Sequence, residues 1–232
     1  MAENSFVDTF QNRKQARLES GESDRLTLRS YNLVITAVLA YGMLLNAVIV
    51  SAFAPQIAAF FAGVSPWMWL LAYLVPTIVG VIMAARSANP FVSFVGYNLV
   101  VIPIGLLLAL VIPGVSPAVV SKAMLLTAMV TATMMVLAVV HPRVFLGMGR
   151  TLFIALLVGI VAEVVATFLL GYRGELFDWA FVLIFSGYIG YDVARSQAYP
   201  KTLDNAVDSA LDIYLDIINL FIRLLSILGR RE

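Results

Sequence analysis

Residues 31–53 read YNLVITAVLAYGMLLNAVIVSAF, a stretch of 23 residues without a charged side chain. About 20 apolar residues in a helix are enough to cross the hydrocarbon core of a bilayer, which is about 30 Å thick. This stretch therefore predicts a membrane-spanning helix.

Six further apolar stretches of similar length follow along the 232-residue chain. Apolar residues make up 61% of the chain and charged residues 12%, against about 45–50% and about 25% in soluble domains. We predict an all-α, polytopic membrane protein: a polar tail over residues 1–30 and a seven-transmembrane-helix bundle over residues 31–232. The predicted spans are 31–53, 66–85, 91–112, 118–140, 151–171, 177–194 and 209–228.

Basic residues near the ends of the spans predict the orientation in the membrane. In the seven-span arrangement ten Lys and Arg residues, five of them in the tail, fall on one side and four on the other. We therefore expect the tail in the cytoplasm. The pair Arg230 and Arg231 conflicts with an external carboxyl terminus, and a last segment that re-enters the membrane would remove the conflict.

The short tail and the absence of an organelle-retrieval signal favour a bacterial inner membrane. The tail shows no signal-peptide core, so we expect the mature protein to begin near Met1.

The composition argues against several classes of function. Connectors of at most about 14 residues leave no room for a nucleotide-binding domain. The chain has no cysteine and one histidine, His141, so disulfides, thiolate chemistry and paired-histidine metal sites are not expected. A net charge of +1 without a basic tract argues against nucleic acid as a partner. We expect no cofactor and no enzymatic activity, with the lipid bilayer as the surroundings of the protein; nothing in the sequence identifies a protein partner.

The acidic residues are confined to the two ends of the chain. Between Asp24 and Glu163 there is no Asp or Glu, and nine acids lie in the final 70 residues. The first four spans are thus interpreted as a scaffold and the last third as the polar region. Four aspartates recur there every four residues, so they follow one face of a helix; we interpret the first two as a solvated helix start, capped by the first of them or by Asn205. The four are Asp204, Asp208, Asp212 and Asp216.

Asp216 and Asp192 are the candidates for buried acids. Asp216 lies inside the apolar residues 211–228, where an isolated charge costs about 2.5 to 3.5 kcal/mol on insertion scales. Asp192 lies near the far end of the sixth span. Because consecutive spans with a short connector are antiparallel neighbours, we expect Asp192 at the depth of Asp212 and Asp216.

Such a meeting of carboxyl groups has a chemical consequence. Two carboxylates that face each other in a low dielectric do not both ionise easily, so the pair Asp192 and Asp216 is predicted to sense protons. When ionised, these two and Asp212 offer the hard oxygen ligands that Ca²⁺ prefers, although water or carbonyl groups must complete its shell of about six to eight ligands. The alternative of an aspartate pair that only locks two helices stays open.

Few residues are candidates to partner these acids. Arg86 ends the second span on the side predicted for Asp192, where it either reaches lipid phosphate or latches an ionised aspartate. Arg223, seven residues after Asp216, is a secondary candidate, which either reaches the interface or neutralises a neighbour. Glu163 in the fifth span is a further secondary candidate, as a separate polar centre.

The closing stretch, residues 210–231, reads ALDIYLDIINLFIRLLSILGRR and resembles the carboxyl-terminal signature of the transmembrane Bax inhibitor motif family. Tyr191-Asp192 resembles the Tyr-Asp that precedes the penultimate loop of the family. Less distinctive similarities occur at residues 28–32 and 145–153, so the resemblance covers most of the chain.

The resemblance implies a seven-helix bundle through which Ca²⁺ leaks across a membrane in a pH-dependent way. It implies that Asp192 and Asp216 are the pH sensor and that Arg86 is an arginine that can latch them. Two departures stand out. Asp212 adds a third carboxylate where a small polar residue or Asn is expected, and the third span, around Pro103, matches only loosely. Calcium is thus the expected transported ion, while Asp212 could alter ion preference or the pH of the transition.

Three other functions are alternatives to this interpretation. Intramembrane aspartyl proteases also pair a Tyr-Asp with a second Asp, but there the second Asp follows Gly-x-Gly, whereas bulky residues 213–215 precede Asp216 here. A retinal protein needs a lysine in its last helix, and this chain has lysines only at positions 14, 122 and 201. A non-transporting regulatory membrane protein stays open.

Overall fold

The computed structural model of the chain describes residues 25–169, 171 and 174–230. Within these residues it contains seven α-helices, a short 3-10 helix at Ile112–Gly114 and no strand. The predicted all-α fold class and the seven helices are therefore confirmed. The helices are α1 Leu28–Phe61, α2 Pro66–Arg86, α3 Pro90–Val111, α4 Pro117–Val140, α5 Pro142–Leu169, α6 Glu175–Ala198 and α7 Leu203–Gly229.

Helices α1 to α6 are long and apolar enough to cross a membrane. Their outer faces expose large apolar side chains, among them Leu44, Leu71, Met129 and Val158, as surfaces that meet lipid do. Helix α7 has 27 residues but carries four aspartates and an arginine, and it does not belong to this apolar set. Most of its residues are nevertheless buried.

The helix starts follow from local sequence. A hydroxyl or amide side chain caps each of the first four helices by accepting a hydrogen bond from a backbone N–H, and proline follows at the start of α2, α3 and α4, where its missing N–H costs nothing. The caps are Thr27, Ser65, Asn89 and Ser116, with N–H donors at Ser30, Met68, Phe91 and Val119.

Several predicted boundaries differ from the structure: α1 continues to Phe61 rather than ending at residue 53, and α7 begins at Leu203 rather than at residue 209. Helix α5 begins at Pro142, so the connector after α4 is His141 alone. Arg143 and Arg150 interrupt the run of apolar residues between α4 and the predicted fifth span. They do not interrupt α5, because arginine is a good helix former. Residues 28–30 of the predicted tail already belong to α1. Residues 1–24, Arg173 and Arg231 lie outside the described residues.

The chain divides into two compact units, and the first comprises residues 1–114 and 199–211. In this unit α2 and α3 touch through their backbones, because a Cβ atom on Gly96 would lie 2.6 Å from the carbonyl oxygen of Gly80. The hydroxyl of Tyr97 on α3 donates to the carbonyl oxygen of Val38 on α1 at 2.9 Å. Small residues and one tyrosine thus hold the three helices of this unit in close contact.

The start of α7 belongs to the first unit and corrects a prediction. Asp204 is 8% and Asp208 1% exposed, so this part of the helix is buried rather than solvated. The hydroxyl of Ser93 on α3 donates to Asp204 at 2.7 Å, which replaces water as a partner.

The cap of α7 also differs from the prediction. Thr202, not Asp204 or Asn205, precedes the helix and accepts the N–H of Asn205 at 3.2 Å. The hydroxyl of Tyr31 on α1 forms hydrogen bonds with the Ser209 hydroxyl at 3.1 Å and with the Asn205 carbonyl at 3.3 Å. Polar groups from distant parts of the chain therefore make burial of this polar helix start possible.

The second unit comprises residues 115–198 and 212–232. Glycines bring α5 and α6 together in it. A Cβ atom on Gly149 would lie 2.6 Å from the ring of Tyr191, and Phe145 fills the space beside Gly190 even more closely. These contacts fix the turn of α6 that carries Asp192.

Candidate functional site

Asp192 and Asp216 meet inside the second unit, where α6 and α7 run antiparallel. Each residue is only 7% exposed. Their carboxyl groups face each other within hydrogen-bonding reach. Two carboxyl groups form a hydrogen bond only when one of them carries a proton, so this arrangement is one that can hold a shared proton. The expected juxtaposition is therefore present, while the assignment of the pair as a pH sensor stays a prediction.

Arg195 joins these two acids to a third. Its Nη2 atom lies 2.8 Å from Oδ1 of Asp192 and 2.5 Å from Oδ2 of Asp212. The charges that act on Asp216 are those of Asp192, Asp212 and Arg195. We call these four residues the aspartate cluster.

Sequence reasoning missed Arg195. Its position contained two signals. It follows Asp192 by three residues, a spacing that places two side chains on the same helix face. It also lies in the last turn of α6, where a positive charge suits the helix dipole.

Glu163 and Arg223 meet in a second polar group of the same unit. Arg223 donates to both carboxylate oxygens of Glu163, at 2.6 and 2.8 Å, and to Oδ1 of Asp178 at 3.0 Å. Oδ2 of Asp178 accepts the Ser226 hydroxyl at 3.0 Å and lies 2.9 Å from Nη2 of Arg230. We call Glu163, Asp178, Arg223 and Arg230 the arginine cluster.

The surroundings of Arg223 restrict its position. Its Cζ atom lies 4.1 Å from the ring centroid of Phe181, so the guanidinium stacks on the ring. The ring in turn packs beside Gly159, where an added Cβ atom would lie 3.1 Å from it. Next to the cluster is a cavity of about 260 Å³ whose lining includes Glu163 and Arg230.

The two clusters occupy opposite ends of α6. Fourteen residues separate Asp178 from Asp192, which corresponds to about 21 Å along a helix. Sequence reasoning did not select Asp178, because an acid in the first turn of a helix is ordinarily explained by the helix dipole. Its 2% exposure distinguishes it from such surface acids.

Two further predictions concern the latch and the metal ligands. Arg86 is the last residue of α2, in the first unit, and its role as a latch stays a prediction. In the described part of the chain, no three acidic, His or Cys side chains are arranged to hold a metal ion. Arg195 pairs with oxygens of Asp192 and Asp212 instead, and the assignment of these two and Asp216 as ion ligands stays a prediction.

The family model described as "Inhibitor of apoptosis-promoting Bax1" matches residues 26–232. The chain belongs to this family. The match includes all seven helices and both clusters, and it confirms the resemblance seen in the closing stretch of the sequence.

Relatives of this Bax inhibitor family protein occur in several bacteria. An uncharacterized protein of Helicobacter pylori strain J99 is 33% identical over 146 residues, which are 61% of each chain. An uncharacterized membrane protein of Streptococcus pyogenes serotype M3 is 34% identical over 161 residues, 64% of this chain and 68% of the relative. Inner membrane protein YbhL of Escherichia coli K12 is 34% identical over 99 residues, 37% and 41% of the two chains. The chain thus matches about three fifths of the length of the Helicobacter relative, and it is a multi-pass membrane protein.

Proposed function

We propose that this Bax inhibitor family protein is a pH-sensitive, passive leak channel for Ca²⁺ or a similar divalent cation. One observation carries the proposal: Asp192 and Asp216 face each other within hydrogen-bonding reach, each only 7% exposed, in a multi-pass membrane protein. Acids within membrane proteins are costly to bury and typically mark the paths of ions or protons. No covalent chemistry is part of the proposal.

The shared proton provides the pH dependence. With the proton in place, the pair Asp192 and Asp216 joins α6 to α7 through a neutralised hydrogen bond. Loss of the proton leaves two adjacent negative charges, which repel each other and attract a cation. Tyr188, Tyr191, Asp212 and Arg195 also surround this pair, and Arg195 competes with a cation for the oxygens of Asp192 and Asp212.

The proposal includes a location and a second control. We propose a bacterial inner membrane with the amino terminus in the cytoplasm. The uneven distribution of basic residues supports the orientation, and the similarity to an inner membrane protein of Escherichia coli supports the location. We also propose that Arg86 latches the ionised aspartates. Arg86→Ala should then shift the pH midpoint of cation flux, and an unshifted midpoint would leave Arg86 as a lipid anchor.

Divalent flux into proteoliposomes tests the proposal. The parent should show flux that varies with pH, and the double variant Asp192→Asn with Asp216→Asn should lose that variation because no proton can be shared or released. Glu175→Gln, at the other end of α6, serves as a matched control and should keep the pH profile. Equal and pH-independent flux in the parent and the double variant would contradict the proposal.

The same variants distinguish the alternatives. A protease would cleave reporter transmembrane segments, and the cleavage would be lost in both Asp→Asn variants. A non-transporting regulatory protein would show no flux in the parent at any pH.

A further inference from the structure

The arginine cluster lies on the same side of α7 as the aspartate cluster. Asp216, Asn219 and Arg223 follow one another at spacings of three and four residues, which place them along one helix face. Arg223 is two turns, about 10 Å, from Asp216 along the helix axis. If the proposed cation route follows this face away from the aspartates, the next charged side chain on it is Arg223.

A cavity lies beside the arginine cluster. The cavity of about 260 Å³ has Glu163, Thr167 and Arg230 in its lining. Glu163 and Arg230 are also members of the arginine cluster, so two residues of the cluster lie in the wall of the cavity and both contact other members of the cluster. The order along α7 is therefore aspartate pair, Asn219, Arg223 and cavity.

The contacts of Arg223 hold its guanidinium in one position. Glu163 on α5 accepts hydrogen bonds from both of its terminal nitrogens, and Asp178 on α6 accepts one from Nη1. The ring of Phe181 stacks against the guanidinium plane. A bidentate arginine of this kind has a defined geometry that lysine or glutamine cannot reproduce. The guanidinium occupies the gap between two carboxylates that would otherwise attract a cation.

We propose that Arg223 closes the cation route at the end opposite Asp192, by filling the gap between Glu163 and Asp178. The route then has two barriers: the aspartate pair, which responds to protons, and Arg223, which is held by ion pairs. This inference rests on the proposed function, since it names a second control point of the same route.

The absence of cysteine from the chain provides a test that does not depend on ion flux. Asn219→Cys places a thiol between the two barriers, and Thr167→Cys places one in the lining of the cavity. With Arg223 present, a membrane-impermeant thiosulfonate reagent should label the cavity thiol quickly and the Asn219→Cys thiol slowly. In the Arg223→Gln background the Asn219→Cys thiol should react at least about tenfold faster, while labelling of Thr167→Cys stays the same.

Arg223→Lys keeps the positive charge but loses the two-point grip on Glu163, so its labelling rate should fall between those of the parent and Arg223→Gln. If Arg223→Gln does not purify as a folded protein, the lysine variant decides the matter by the same measurement. Labelling of Asn219→Cys at the parent rate in every folded variant would overturn the proposal. Reagent is applied separately from each side of the vesicle, so that access through the cavity is distinguished from access past the aspartates.

Flux separates a failure of this inference from a failure of the proposed function. Arg223→Gln should raise divalent flux severalfold and leave its pH midpoint unchanged, because the aspartate pair is intact. A parent that carries no divalent cation at any pH would remove the proposed function, whereas the labelling rates would still report whether Arg223 closes this end of the protein.

Discussion

The two polar clusters of the second unit use the same kinds of side chain but differ in their balance of charge. In the aspartate cluster the guanidinium of Arg195 pairs with Asp192 and Asp212, and the third carboxyl group, that of Asp216, faces Asp192. In the arginine cluster two carboxylates meet two arginines. A cluster whose acids exceed its arginines must take up protons or cations, whereas a balanced cluster is held by its own ion pairs. The aspartate cluster is thus expected to respond to protons, and the arginine cluster at the other end of α6 is expected to contribute to the free energy of unfolding.

The largest effect should follow from breaking the balanced cluster. Asp178→Asn removes the buried negative charge that pairs with both Arg223 and Arg230. Removal of one partner from a buried ion pair typically costs about 3 to 5 kcal/mol, and we expect a loss of that size in the free energy of unfolding, measured by denaturant titration in detergent. Asp192→Asn, which relieves an excess of acids, is the matched comparison; a loss as large as that of Asp178→Asn would contradict the difference between the clusters.

A smaller effect should follow from disturbing the packing that positions Asp192. An alanine at Gly190 would overlap the ring of Phe145, and overpacking of this kind costs about 1 to 3 kcal/mol. Thermal unfolding should show a lowered midpoint. Gly147→Ala on α5 is the control, since nothing lies within 4 Å of its added Cβ atom and alanine favours a helix. Equal midpoints for the two variants would mean that the contact does not constrain α6.

The shared proton should make stability depend on pH in a defined direction. Where the folded protein keeps this proton and the unfolded chain has released it, the folded state binds one more proton, so stability falls by up to about 1.4 kcal/mol for each unit of rising pH. Asp216→Asn should remove this part of the slope, because an amide does not release a proton. Unfolding titrations of the parent and the variant at several pH values from about 5 to 9 measure this slope. Identical slopes would exclude a proton held between the two aspartates.

The smallest effect should come from Ser226→Ala. The variant loses one hydrogen bond to Asp178, which keeps its contacts with Arg223 and Arg230. A loss of about 1 kcal/mol is expected in the free energy of unfolding, without a change in the pH dependence. A loss as large as that of Asp178→Asn would show that the hydroxyl, rather than the arginines, holds the carboxylate.

The sequence predicted the apolar helices α1 to α6 because span length depends on bilayer thickness. It predicted the last stretch as a helix too, although the charges of α7 keep it out of the set that is apolar enough to cross a membrane. It also predicted that Asp192 approaches Asp216, because a short connector forces antiparallel neighbours. It did not predict the sharing of Arg195 between Asp192 and Asp212, since a basic residue at the end of a span is typically read as an interfacial anchor.

The burial of Asp204 and Asp208 was beyond local reasoning. Acids at the start of a helix are usually solvated, and the sequence around them resembles such a start. Their burial depends on partners far away in the chain, such as the Ser93 hydroxyl 111 residues earlier. Asp178 was missed for a related reason, because its arginine partners lie 45 or more residues later.

The hydrogen bonds of the Tyr31 hydroxyl affect the order in which the first unit assembles. Tyr31 is fully buried, and its partners Asn205 and Ser209 follow it by 174 and 178 residues. During synthesis the first helix enters the bilayer long before those partners leave the ribosome. The first unit therefore cannot finish assembling until the final helix has been translated, and in the interval Tyr31 must be satisfied by water, by lipid headgroups or by the insertion machinery.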